Sequence, residues 1–280
     1  MAIIQRYMTK NPCYTAGREI EVKGFILHSI GCPQPDPLKI VNNWDRADFG
    51  DACVHGFIGE NDTYITLPVF EKSGTAHRGW HAGKGANGSA NNTHIGIEMC
   101  EPSSIKYTKG STFTCSDPVS ARKYVEKVTR NAVILFAKMC EFHKLNPLAD
   151  GVIISHAEGY QRGVASNHGD PDHLWRQLSM DYDMDRFRQD VYKEMNKNSQ
   201  GSEKMKNEEL EWFKSLFKEM RKELQDNDAS AWSLEARKWA VQKGLVQGST
   251  DGSFNGMWED FLTREQLVTI LYRFARLLED

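Results

Sequence analysis

The sequence is poor in the features that mark several functional classes. None of its six cysteines (Cys13, Cys32, Cys53, Cys100, Cys115 and Cys140) forms a CxxC pair, which excludes zinc ribbons and thioredoxin-type centres. Dispersed through 280 residues, they read as reduced, mostly buried thiols in a chain long enough to fold without staples. No stretch approaches the roughly 18 apolar residues that a membrane helix needs, so no membrane partner is expected. The opening MAIIQRYMTKNPCY lacks a basic stretch followed by a long apolar run. The expectation is a chain without a signal peptide that is held in the cytoplasm where it is made. Excess basic charge is missing too: 35 Lys and Arg against 38 Asp and Glu leave a net charge of −3, which argues against nucleic acid as a partner. There is no HExxH, and the single H-x-E, His156-Ala157-Glu158, has no PCxxC partner. Zincin peptidases and zinc deaminases are thereby set aside.

What is present is an ordinary globular composition, 40% hydrophobic and 26% charged. The length suits one large domain and one small one. Apolar runs at 22–30, 53–58, 63–69, 94–99 and 151–156 read as strands. A long helix is expected over 119–144, started by Asp117-Pro118, and a closing helix over 181–195. Mixed strands and helices predict an α/β fold, a central mixed β-sheet flanked by helices, over residues 1–195. The polar stretch NKNSQGSEK at 196–204 reads as a linker. Beyond it come an amphipathic helix at 205–227 and a small all-α module at 228–280.

Histidines at strand ends point into clefts about as often as into cores. His28 ends one apolar run and His156 another, and His156 is followed by a polar loop carrying His168-Gly169-Asp170. His28, His156 and Asp170 would make a two-histidine, one-carboxylate zinc site with a position left for water. The alternative is that His168 and Asp170 only cap the loop before Leu174. Asp172 and His173 are further donors in the same segment. Glu98, in the middle of HIGIEM, is costly among apolar residues unless it faces a polar site. It is the candidate general base, or else a surface-facing strand residue. The loop 76–83, with Trp80 and His81, suits a substrate-lining role or a packed loop with Trp80 in the core.

Taken in order, LHS at 27–29, HGFIGENDTYITLP at 55–68, HRGWHAG at 77–83, NTHIGIEM at 92–99, ISHAEG at 154–159 and HGDP at 168–171 resemble the type 2 N-acetylmuramoyl-L-alanine amidases. The resemblance covers roughly residues 1–195. It implies one catalytic zinc and peptidoglycan as substrate. His28, His156 and Asp170 match the metal ligands, and Glu98 matches the catalytic carboxylate. His168 falls where many members have a lysine that stabilises the transition state. His55, Trp80 and His81 fall to substrate binding. Val54 stands where some members carry a tyrosine beside the zinc, so that role passes to Glu98. Some members of this family bind peptidoglycan without cutting it, usually after losing a ligand or the base.

Residues 228–280 resemble a surface-layer-homology motif: W-A-V-x-x-G, then GSTDGSFNG, then TREQ opening a second helix, with Thr263 as N-cap and Gln266 completing a capping box. The resemblance implies binding to secondary cell-wall polysaccharide of Gram-positive bacteria. Such motifs commonly occur in threes and one is visible. An enzyme joined to a wall-anchoring module, without an export signal, resembles a phage or prophage endolysin that acts after release. In the preceding helix Leu210, Phe213, Phe217, Met220 and Leu224 are spaced 3, 4, 3 and 4 apart. That spacing is either a short coiled-coil seam joining chains into a homo-oligomer through 205–280, or a face lying on the chain's own domain.

Overall fold

In the computed structural model the described residues are 1–50, 52–224, 229–247, 258, 262 and 264–278, with the side chains of 198–209 set aside. Two compact units divide the chain, Met1–Ser199 and Gln200–Asp280. In chain order the strands are β1 (Ala2–Gln5), β2 (Glu19–Glu21), β3 (Gly24–Ser29), β4 (Gly56–Ile58), β5 (Asp62–Ile65), β6 (Thr75–His77), β7 (His94–Met99), β8 (Ile105–Lys109), β9 (Thr112–Cys115) and β10 (Ile153–Ser155). The helices are α1 (Pro12–Thr15), α2 (Pro37–Trp44), α3 (Pro118–His143), α4 (His156–Gln161), α5 (Asp172–Gln177), α6 (Met184–Leu224), α7 (Leu234–Gln242) and α8 (Arg264–Leu277).

The first unit is the expected α/β fold. Six strands form one sheet in the order β1-β5-β4-β7-β3-β10. Only β4 and β5 pair antiparallel, so the sheet is mixed. Alternation along the strands decides which side chains face which layer. Phe25 and Leu27 of β3, Ile95, Ile97 and Met99 of β7, and Ile153 of β10 join the main core with Val125, Val128, Ala132 and Phe136 of α3. Their sequence neighbours point the other way, and among them are His28 and Glu98.

The long helix starts one residue earlier than its expected bounds and ends one earlier. Asp117 caps it by accepting from Ser120 N at 3.0 Å, with Pro118 in its first turn. Lys144 then ends it in the left-handed conformation, φ 58°. The run 151–156 is divided: β10 stops at Ser155, and His156 begins α4. Ser155 and Glu158 form a capping box there (Glu158 N to Ser155 Oγ 3.1 Å, Ser155 N to Glu158 Oε2 2.9 Å).

The linker expected at 196–204 is helical. It lies within α6, although the division between units falls there, at Ser199 and Gln200. One glycine costs a helix only about 1 kcal/mol, and the flanking Lys, Glu and Met are good helix formers. In the second unit Arg273 donates to the Leu245 carbonyl (3.0 Å) and Gln247 Oε1 (3.0 Å), fastening α8 to the turn after α7. The loop GSTDGSFNG and the N-cap Thr263 lie outside the described residues. All six cysteines are free, and four are buried. Among the described residues no helix is long and apolar enough to cross a membrane.

Phe136 is fully buried between Phe25 (ring centroids 5.9 Å apart) and Phe187 (5.2 Å). Phe136→Ala is expected to destabilise the first unit by about 3–5 kcal/mol, through lost burial and a residual cavity. Chemical denaturation in chelator reads this, and a shift below about 1 kcal/mol would mean that α3 does not anchor the core.

Candidate metal centre

Parallel pairing lines up the reactive residues. His28 is the register partner of Glu98 across β3 and β7. Ser155 of β10 partners Leu27, so His156, the next residue, comes up beside His28. All three sit at the carboxyl ends of parallel strands, on the face away from α3, where α/β sheets place their crevices. Asp170 reaches the same point from the loop before α5. His28 Nδ1 lies 3.0 Å from His156 Nδ1 and 3.1 Å from Asp170 Oδ2, and His156 Nδ1 lies 3.7 Å from Asp170 Oδ1. Four ligands around a zinc with bonds near 2.0–2.1 Å stand roughly 3.3 Å apart. The donor set, its burial and its spacing fit that ion.

Electrostatics agree with the geometry. Burial, then the neighbouring His28, pull the pKa of His156 down to about 4, keeping it the neutral imidazole that a metal ligand must be. Burial alone would raise Asp170, but its bond to His28 and the two histidines hold it below the usual carboxylate range. Glu98 lies opposite: burial, then Asp170 and Glu101, push its carboxyl well above its ordinary value. Its Oε2 is buried without a hydrogen-bond partner among the described residues. Glu98 therefore faces the site and not the surface.

These residues line a cleft of about 580 Å³. His168 stands exposed on its wall, its Nδ1 3.1 Å from Ser166 Oγ and its ring 4.5 Å from that of His156. His81 is also in the wall, but its ring turns inward, with Nδ1 2.9 Å from His28 Nε2. His55 and Trp80 are not among the residues that line this cleft. His55 is fully buried, accepting from Gly96 N (3.0 Å) with its other nitrogen on the His77 carbonyl (2.7 Å). Trp80 packs against the cluster of Phe57, Leu67 and Val54 and bridges Cys53 through its backbone. An indole and an imidazole in a glycine-rich loop fill space as readily as they meet ligand. Asp172 starts α5 and His173 turns away to Tyr107, so neither joins the donor set. Glu158, the carboxylate of the H-x-E, is occupied by Arg188 and its capping role.

One buried network was not expected. Tyr107 on β8 lines the cleft, and its hydroxyl lies 2.9 Å from both oxygens of Glu101 and 2.7 Å from His173 Nε2. Burial lifts Glu101 to about 7 against the bonds it accepts from Tyr107 and Gly31. Two glutamates three residues apart in IGIEMCEP were the available signal for it.

The family profile for N-acetylmuramoyl-L-alanine amidases matches residues 18–173, more than half of the chain. The chain belongs to the N-acetylmuramoyl-L-alanine amidase family. No curated protein matches it. Similar solved structures include the hydrolase AmiA of Staphylococcus aureus in complex with its ligand (16% identity, 70% of this chain and 83% of that one, TM-score 0.49). A mutant endolysin from Bacillus subtilis is 20% identical over 68% of this chain and 99% of that one, TM-score 0.45. The E. coli amidase AmiD with anhydro-N-acetylmuramic acid-L-Ala-D-gamma-Glu-L-Lys is 18% identical over 57% and 56%, TM-score 0.37. The assignment of this amidase rests on the matched span.

A testable consequence concerns stability. The native pKa of Glu98 lies above its unfolded value, about 4.3. The stability it contributes is fully present below that value and is lost as pH rises through the native pKa. In chelator at about pH 8, Glu98→Gln is expected to be more stable than wild type by about 1–3 kcal/mol, with no gain near pH 4. Thermal melts at both pH values measure it, and equal midpoints at the higher pH would show that the carboxylate is not held ionised at a cost.

Proposed function

We propose that the chain is a zinc-dependent hydrolase of the amide between the lactyl group of N-acetylmuramic acid and L-alanine in peptidoglycan, acting as an endolysin. The observation that carries this reading is the convergence of His28, His156 and Asp170 beside Glu98, whose Oε2 is buried without a hydrogen-bond partner, within an amidase family. His28 Nδ1, His156 Nδ1 and Asp170 would hold the zinc, which polarises a carbonyl and acidifies water when bound. Glu98 takes the proton of the attacking water and returns it to the departing alanine amine. Its raised proton affinity suits a group that must do both. His168, with Nδ1 engaged by Ser166, presents Nε2 to the carbonyl oxygen as negative charge builds there. A complete ligand set together with the base favours cleavage over recognition alone.

The second unit extends the proposal. Residues 228–280 would bind secondary cell-wall polysaccharide and hold the enzyme on its substrate. Leu210, Phe213, Phe217 and Met220 are between 45% and 58% exposed in the single chain. A seam of that kind, sheltered between copies, would make a homo-oligomer through 205–280 and add avidity for the wall.

Purified protein should carry about one zinc per chain, and His28→Ala should abolish tight binding. Glu98→Gln should keep the metal and lose on the order of 100-fold or more in turnover. Digested wall should yield new N-terminal alanine amines, and new reducing sugars in their place would refute the amidase assignment. Light scattering should give a mass well above 31.9 kDa that returns to monomer in Leu210→Glu with Phe217→Glu. A wild-type monomer at about 50 µM, well above ordinary dissociation constants, would end the oligomer proposal.

A further inference from the structure

We infer that His81 is a positioning residue: its imidazole fixes His28 as the Nε2–H tautomer and so turns the Nδ1 lone pair toward His156 and Asp170. This rests on the metal reading above and assigns the side chain behind it. The reasoning starts at the His94 carbonyl, which can only accept and lies 3.1 Å from His81 Nε2. The proton of a neutral His81 is therefore on Nε2, and Nδ1 is an acceptor. That acceptor stands 2.9 Å from His28 Nε2, which must donate to it. With Nε2 committed to His81, Nδ1 is the nitrogen of His28 left for a bound cation, 3.0 Å from His156 Nδ1 and 3.1 Å from Asp170. A second histidine here does the work that a carboxylate or carbonyl does behind many metal-bound imidazoles.

The surroundings are built to hold that ring. The buried Asn91 side chain accepts from the backbone N–H of both His81 (2.9 Å) and Ala82 (2.8 Å), clamping the chain at this point. His55 meets the ring edge-on, 5.6 Å between centroids. Two glycines leave it room. A Cβ on Gly96, in the middle of β7, would fall on the His81 ring itself. A Cβ on Gly79 would come within 2.6 Å of His55 Cε1 and 2.9 Å of His81 Cδ2.

The test is zinc affinity, measured by competition with a chromophoric chelator, in His81→Phe and His81→Asn. Phenylalanine keeps the volume and loses the acceptor, so affinity should fall about 10- to 100-fold. Asparagine is smaller but offers an oxygen to His28 and an N–H to the carbonyl, and should stay nearer to wild type than phenylalanine does. The reverse order, with Phe unchanged and Asn impaired, would mean that His81 only fills space and would overturn the inference. Nitrogen-15 NMR of the metal-free wild type decides independently of any variant's folding. A proton on His28 Nε2 is expected, and an Nε2 without a proton overturns the inference. A wild type that binds no zinc while His28 shows the Nε2–H tautomer would instead strike down the metal reading and leave the tautomer assignment standing.

Discussion

The register of β7 against β3 is the constraint on which the rest of this molecule depends. His28 and Glu98 are partners because Phe25, Leu27, Ile95 and Ile97 must all face α3. A slip of one residue would turn those four toward the cleft and drive an imidazole or a carboxylate into the apolar core. An unpaired polar group there costs several kcal/mol, so hydrophobic burial on one face sets the spacing of His28 and Glu98 on the other. The third strand, β10, adds His156 by the same pairing, and the capping box holds that residue at the first turn of α4.

What gathers on the far face is expensive to keep. Glu98 and Glu101 are both enclosed, Asp170 lies close by, and His28, His55, His81 and His156 crowd within ring contact of one another. His28, His156 and Asp170 bring their donor atoms within 4.8 Å of one another, a group that could hold a metal ion. Groups so arranged reduce the stability of a metal-free fold, which is the usual trade at a site organised for chemistry before substrate arrives. The network of Glu101, Tyr107 and His173 belongs to the same economy. It ties the β8–β9 hairpin to the helix after Asp170, so the wall of the cleft and the third donor are held together.

The second unit follows a different logic. Its described helices leave many large apolar side chains exposed, Trp232 at 88% and Val268 at 64% among them. Such surface is costly in water.

Much of the first unit was legible in the sequence. Short apolar runs gave β3, β4, β5, β7 and β10, and Asp117-Pro118 gave the start of α3, because apolar runs and capping are local properties of a chain. His28, Glu98, His156 and Asp170 stood out because each is a costly polar group beside an apolar run or in a ligand-rich loop. The break assigned at 196–204 was wrong in conformation, since one glycine weighs little against helix-forming neighbours. His55, Trp80 and His81 could not be sorted by composition, for a histidine in a glycine-rich loop has the same letter whether it meets substrate, core or another ligand. Glu101, Tyr107 and His173 come from the segment after β7, a hairpin and a helix as much as 72 residues apart, as the numbering shows. Sequence determines which residues can donate, accept or bury. Which of them meet is decided when the sheet pairs, because only the folded register brings distant side chains within three ångströms of each other.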